Sequence, residues 1–209
     1  MFLNTVNNSL LSLIDQLAGR PAIADSCYLA GGTALALQLG HRISIDLDFF
    51  TPAPFPPEKY EHLLMALGCT IISSEKDTIH ASQSGARISL ISYPYPCIAP
   101  FIAFRGINLA SLRDIACMKA VAIAQRSEKK DFFDMYELLK QIDPADLKQD
   151  FLNKYGSARI NCYHILKSFF FFDDAEQQPD PVSLNNTTWQ QVKNYFMENE
   201  KELMQKLVC

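Results

Sequence analysis

The sequence predicts an α+β chain: a small mixed β-sheet flanked by helices up to about residue 108, followed by a helical C-terminal part over 109–209. Three observations carry this. Apolar–polar alternation rich in β-branched residues is confined to the first half. From Ser111 onward the apolar residues recur at helical spacing instead. With 48% hydrophobic residues in a chain of 209, there is enough apolar material for a sizeable core.

Leu10, Leu11, Leu13, Ile14 and Leu17 describe an amphipathic first helix ending at Gly19. A short strand, Cys27 to Ala30, leads to Gly31-Gly32; Thr33 to Leu39 then reads as a helix closed by Gly40, and Ile43 to Phe50 as a second strand. The proline-rich TPAPFPPEKY opens a helix from Glu58 to Leu67 that Gly68 caps. Three strands follow, Thr70 to Ser74, Thr78 to Ser82 and Ala86 to Tyr93, with turns at Glu75-Lys76-Asp77 and Ser84-Gly85. Ser111-Leu112-Arg113-Asp114 fits a capping box for a helix to about Arg126. Further helices are expected over Lys130 to Lys140, near Asp150 to Tyr155, and over Ala158 to Phe172. A polar connection from Asp173 to Asn186 then precedes a last amphipathic helix through Trp189, Val192, Phe196, Leu203 and Leu207. There are no internal repeats.

Nineteen basic against twenty-three acidic residues leave a net charge of −4, which argues against broad attraction to nucleic acid or anionic membranes and leaves room for a local basic patch. The six cysteines are scattered singly, without disulfide or zinc spacing, and read as reduced thiols of a cytoplasmic protein. No signal peptide is expected, and no apolar run approaches the ~20 residues of a membrane span. His41, His62, His80 and His164 share no metal-ligand spacing and read as structural or solvated.

The stretch GGTALALQLGHRISIDLDFF concentrates the chemistry. Two glycines between strand and helix let the backbone approach a ligand, and the N–H groups that open the helix seat an anion such as phosphate, with the Thr33 hydroxyl as a further donor or a cap. Residues two apart in a strand share a face, so Asp46 and Asp48 project together while Ile45, Leu47 and Phe49 face the core. Two adjacent carboxylates oppose each other's ionisation unless a cation lies between them. Magnesium, or another divalent cation, suits such a pair because it leaves positions for water and substrate phosphates. Taken singly, the glycines are a tight turn and the acids a solvated strand face; together they read as a phosphate seat beside a metal site.

On the helix LRDIACMKAVAIAQR, at about 100° per residue, Lys119 and Arg126 fall inside the apolar stripe and point inward, which demands an anionic partner. Asp46, Asp48, Asp131 or a nucleotide phosphate qualifies. In KKDFFDMYELLK, Asp131 and Asp134 share a helix face, where acids of a first turn also serve the helix dipole.

The blocks Leu29 to Ala36, His41 to Phe50, Asp114 to Ala120 and Arg126 to Asp134 resemble the AbiEii/AbiGii nucleotidyltransferase toxins, a branch of the polymerase-beta-like nucleotidyltransferases. The resemblance implies a nucleotidyltransferase fold in 1–108 with a helical domain over 109–209, metal-dependent transfer of a nucleotide from an NTP to a macromolecule, an RNA such as tRNA, and a cognate antitoxin of a type IV system. By resemblance Gly31, Gly32 and Thr33 hold the triphosphate and Asp46 and Asp48 the metal. Lys119 contacts phosphate, Arg126 supports it, Asp131 is base or lysine partner, and Arg42 and Ser44 brace the metal strand or touch phosphate. The chain departs from the superfamily at Ser89, where a third carboxylate is expected; there is no acid between Ala86 and Pro100. That leaves a nucleotide-binding, partner-binding protein with degenerate catalysis as the alternative, while the acidic net charge favours adenylylation of a small molecule as another.

Overall fold

The computed structural model describes residues 1–52, 56–156 and 161–207. After one 3₁₀ turn come α1 (Asn8–Ala18), α2 (Pro21–Ala24), β1 (Tyr28–Ala30), α3 (Gly31–Leu39), β2 (Asp46–Thr51), α4 (Pro57–Ala66) and the meander β3 (Thr70–Glu75), β4 (Thr78–Gln83) and β5 (Ala86–Ser92). A hairpin, β6 (Ile102–Phe104) and β7 (Ile107–Leu109), follows. The helices α5 (Leu112–Arg126), α6 (Lys129–Leu139), α7 (Pro144–Tyr155), α8 (Cys162–Ser168), α9 (Asp173–Glu176), α10 (Trp189–Glu198) and α11 (Glu200–Leu207) complete the chain.

All the strands join one seven-stranded mixed sheet in the order β3-β4-β5-β2-β1-β7-β6. β2 is its pivot, antiparallel to β1 and parallel to β5. Alternation along β2 buries Leu47 and Phe49, while Asp46, Asp48 and Phe50 take the other face. The core face continues through Leu29, Ile79, Ala81, Ile88 and Leu90, all buried. The apolar cluster runs on without interruption into Ile115, Ile123, Phe132, Phe196 and Leu203 of the helices. No helix among the described residues is long and apolar enough to cross a membrane.

Three expectations change. Ile45 is 52% exposed rather than in the core, because β2 begins only at Asp46. The residues before it bond elsewhere: the Ile43 N–H donates to the Val182 carbonyl and the Ser44 N–H to the Thr5 carbonyl. The acids therefore open their strand, and it is the antiparallel pairing Ala30 with Asp48 that brings them to the end of β1. The hairpin β6–β7, with Arg105 and Gly106 both at positive φ in its turn, has strands too short to show alternation. The last helix is broken at Asn199, the expected helix over Ala158 to Phe172 is represented by α8, its first residues, 158–160, lying outside the described ones, and α9 falls in the expected polar connection.

Candidate active site

Asp46 and Asp48 are both half-buried on the same face of β2. Gly31, directly after β1, has φ +65, a conformation that disfavours any side chain, and a Cβ there would lie 2.9 Å from Asp48 Oδ2. The backbone thus turns against the carboxylate with no room for a substituent. α3 starts at this turn without a side-chain cap, so its first N–H groups are left to a ligand or water. Burial first, then the neighbouring Asp48, raises the Asp46 carboxyl above its usual range, against the opposing charges of Lys130, Arg87 and Arg42. A divalent cation between the two carboxylates would remove that repulsion, so the donor set fits one. Among the described residues no group of three His, Cys, Asp or Glu side chains gathers to hold a metal. The pair is a partial shell, which suits an ion that keeps water and phosphate oxygens as its other ligands.

Behind the acids lies a buried ion network. Asp134, fully buried, accepts from Arg42 Nε at 2.7 Å and Nη2 at 2.8 Å, pairs with His41 Nε2 at 2.7 Å, and is in contact with Lys119 Nζ. Asp131, also fully buried, accepts from Lys119 Nζ at 2.7 Å and from Arg126 Nε and Nη2 at 2.8 and 3.0 Å. Burial alone would push both carboxyls up; the Arg42 and Lys119 charges hold Asp134 well below the usual carboxylate range, and Lys119 and Arg126 hold Asp131 below it. The loop that carries Arg42 is itself fixed by a bridge to Ser183 and by the Leu184 N–H donating to the His41 carbonyl.

This geometry separates the sequence candidates into two groups. Gly31, Gly32, Asp46 and Asp48 meet at the turn, with Arg126 half-exposed nearby rather than pointing inward. Thr33, Arg42, Ser44 and Lys119 are buried and hydrogen-bonded or ion-paired within the protein. The Thr33 hydroxyl donates to the Asp46 carbonyl or to Ser44 Oγ, at 2.7 Å, and so braces the start of the acid strand. Lys119 is the counter-ion of Asp131 and Asp134, which take two of the three donors of its ammonium. Asp131 is paired with both Lys119 and Arg126. Sequence reasoning missed Asp134 as the hub, and it missed Lys130 and Arg87 as cations beside Asp46. Their exposure on a helix start and a strand resembles that of any solvated charge, and only the register Asp46 with Arg87 reveals the second.

Gly32 also serves this network. A Cβ there would lie 2.2 Å from Arg42 Nη2, so Gly32→Ala is expected to push the guanidinium off Asp134 and to lower stability by about 1–3 kcal/mol. The urea midpoint of the variant against that of the native chain measures it; an unchanged midpoint would show that the guanidinium has somewhere else to go.

The sequence model of the family described as nucleotidyl transferase AbiEii toxin, type IV TA system, matches residues 13–98 and 84–207. The chain belongs to this family. An uncharacterized protein of Aquifex aeolicus (strain VF5) is 34% identical to it over 197 residues, 88% of this chain and 90% of the relative. Among solved structures, a nucleotidyltransferase from H. pylori, itself described as putative, matches with TM-score 0.56 and 15% identity, over 95% of this chain and 92% of that one. MenT4, a nucleotidyltransferase toxin from Mycobacterium tuberculosis H37Rv, matches with TM-score 0.55 and 13% identity, over 96% and 93%. ANT(2")-Ia in complex with adenylyl-2"-tobramycin matches with TM-score 0.54 and 15% identity, over 69% and 95%. At these identities the structural likeness establishes the nucleotidyltransferase fold. An AbiEii-family chain with this fold is a transferase that uses an NTP.

Proposed function

We propose that this AbiEii-family protein transfers a nucleotide, in a reaction that depends on a divalent cation such as Mg2+, from an NTP to a macromolecular acceptor, an RNA such as tRNA, and acts as a toxin restrained by a cognate antitoxin. The observation that carries the chemistry is the Asp46–Asp48 pair set against the substituent-free turn at Gly31. Asp46 and Asp48 would hold the cation. Such an ion neutralises phosphate charge and orients the triphosphate when bound. The Gly31-Gly32 backbone and the start of α3 cradle phosphate oxygens, and Arg126, Lys130 and Arg87 supply positive charge around the acids. The network of Arg42, Lys119, Asp131 and Asp134 keeps the two helices carrying those cations in register with β2. An RNA acceptor is supported by the position of the acids on a sheet face that stays open toward β4 and β5, where His80 and Arg87 are exposed. The toxin role is supported by the family.

Incubation with total RNA, Mg2+ and each α-labelled NTP in turn is expected to label RNA of tRNA size, and chelation with EDTA is expected to abolish the labelling. Label that passes only to a small acceptor, or to nothing, would overturn the RNA assignment. Ser89, in register with Asp48 where a third carboxylate would stand, favours a second reading as a nucleotide binder without turnover. Saturable NTP binding with no labelled product from any acceptor would decide for it.

A further inference from the structure

A transfer site needs a group to take the proton of the attacking hydroxyl, and none of the buried acids is free for it. Asp131 and Asp134 are saturated by cations. Asp46 and Asp48 are the pair assigned to the cation. The sheet register supplies another arrangement. Asp48, Ser89 and His80 stand side by side on β2, β5 and β4, on one face. Ser89 is buried, and its Oγ lies 3.2 Å from Nδ1 of the exposed His80.

We propose that Ser89 and His80 form a proton relay that substitutes for the third carboxylate; this rests on the nucleotidyl-transfer reading above. Ser89, next to Asp48, is the group that touches the acceptor, and His80 acts through it. The acceptor hydroxyl proton passes to Ser89 Oγ as the Ser89 proton passes to His80 Nδ1, which must be the unprotonated nitrogen. The acceptor oxygen bonds to the α-phosphorus, the bond from that phosphorus to the pyrophosphate oxygen breaks, and its electron pair leaves with pyrophosphate. Adjacent strands are about 4.8 Å apart, so His80 stands about 10 Å from Asp48 and reaches the acceptor through the serine. A neutral base also avoids a third negative charge beside Asp46 and Asp48. The charged groups that share the face with His80 are Glu75 on β3, Arg87 on β5, and Asp46 and Asp48 beyond it; its direct neighbours Ser73, Thr78, Ser82 and Ser89 are neutral.

The test uses the full chain, Mg2+, an α-labelled NTP and total RNA, with release of nucleotide to water measured in parallel. The wild-type rate is expected to rise with pH as the base is freed of its proton. His80→Gln, which keeps a hydrogen bond to Ser89 and cannot take a proton, is expected to lose about a hundredfold or more in kcat/KM and to lose that limb of the profile, with NTP binding unchanged. In the double variant His80→Gln with Ser89→Asp, a carboxylate at position 89 is expected to restore about tenfold or more of the rate and to place the limb in the carboxylate range. A merely structural histidine would show neither the pH change nor the rescue. Wild-type transfer that is indifferent to His80→Gln overturns the relay alone. A wild-type protein that transfers to neither RNA nor water overturns the relay together with the reading beneath it.

Discussion

Asp134→Ala is expected to lower the stability of the protein by about 3–5 kcal/mol, the usual consequence of removing one partner from a buried ion network. The carboxylate is fully buried and receives donors from His41, Arg42 and Lys119, which together occupy all the acceptor positions of its two oxygens. Without it, Arg42 and Lys119 keep their charges inside the protein with one carboxylate, Asp131, between them and Arg126. The effect has a defined pH dependence. Asp131 and Asp134 have folded-state values below the ordinary carboxylate range of about 4. As pH falls, the unfolded chain takes up protons first, so the stability these groups contribute is present above that range and is lost as pH drops through the depressed folded values. Urea midpoints measured from neutral pH downward check both points: Asp134→Ala is expected to unfold early and to show a flatter acid limb than the native chain. A loss under about 1 kcal/mol, in line with a solvated pair, would contradict the buried network.

Asp48→Asn is expected to behave in the opposite way, with nucleotide transfer reduced about 10²–10³-fold or more and the fold intact. The substitution keeps the shape beside Gly31 and removes one of two charges that oppose each other. The thermal midpoint is therefore expected to stay level or rise slightly, and the Asp46 carboxyl is expected to move back toward its ordinary range. Binding of Mg2+ with NTP should weaken along with the rate, since half of the carboxylate pair is gone. Transfer at the native rate would remove Asp48 from the site; a collapse of the fold would make it a structural residue. The contrast between Asp134 and Asp48 separates the buried support from the working face.

The site was legible in the sequence where spacing alone decides geometry. Asp46 and Asp48 share a face because strand residues two apart always do, and Gly31 allows close approach because it carries no side chain. Lys119 was legible as a buried cation from its place in an apolar stripe, and the demand for an anionic partner followed. Which partner answered was not legible. Asp131 and Asp134 both lie on one face of α6, and only the packing of α3 and α5 on α6 turns Asp134 toward Arg42 and closes the network. Gly32 reads from the sequence as a backbone contact to a ligand; that its missing side chain also leaves space for the Arg42 guanidinium was not legible, because nothing in their spacing hints at it. Arg126 sits on the same stripe as Lys119 yet emerges half-exposed because the last turn of α5 runs out of cover. Strand order was illegible for a different reason: the return of β7 to pair with β1 joins residues about eighty apart through strands of three residues, too short for a periodic signal.

The central claim is that Asp46 and Asp48, beside the Gly31 turn, serve transfer of the nucleotide portion of an NTP and not of its terminal phosphate. Parallel reactions with α-labelled and γ-labelled NTP, for the native protein and for Asp48→Asn, test it most directly. The expected result is that the α label moves to RNA, the γ label appears only in pyrophosphate, and both signals fall together in the variant. Movement of the γ label to the acceptor, or α-label transfer that survives the loss of Asp48, would contradict it.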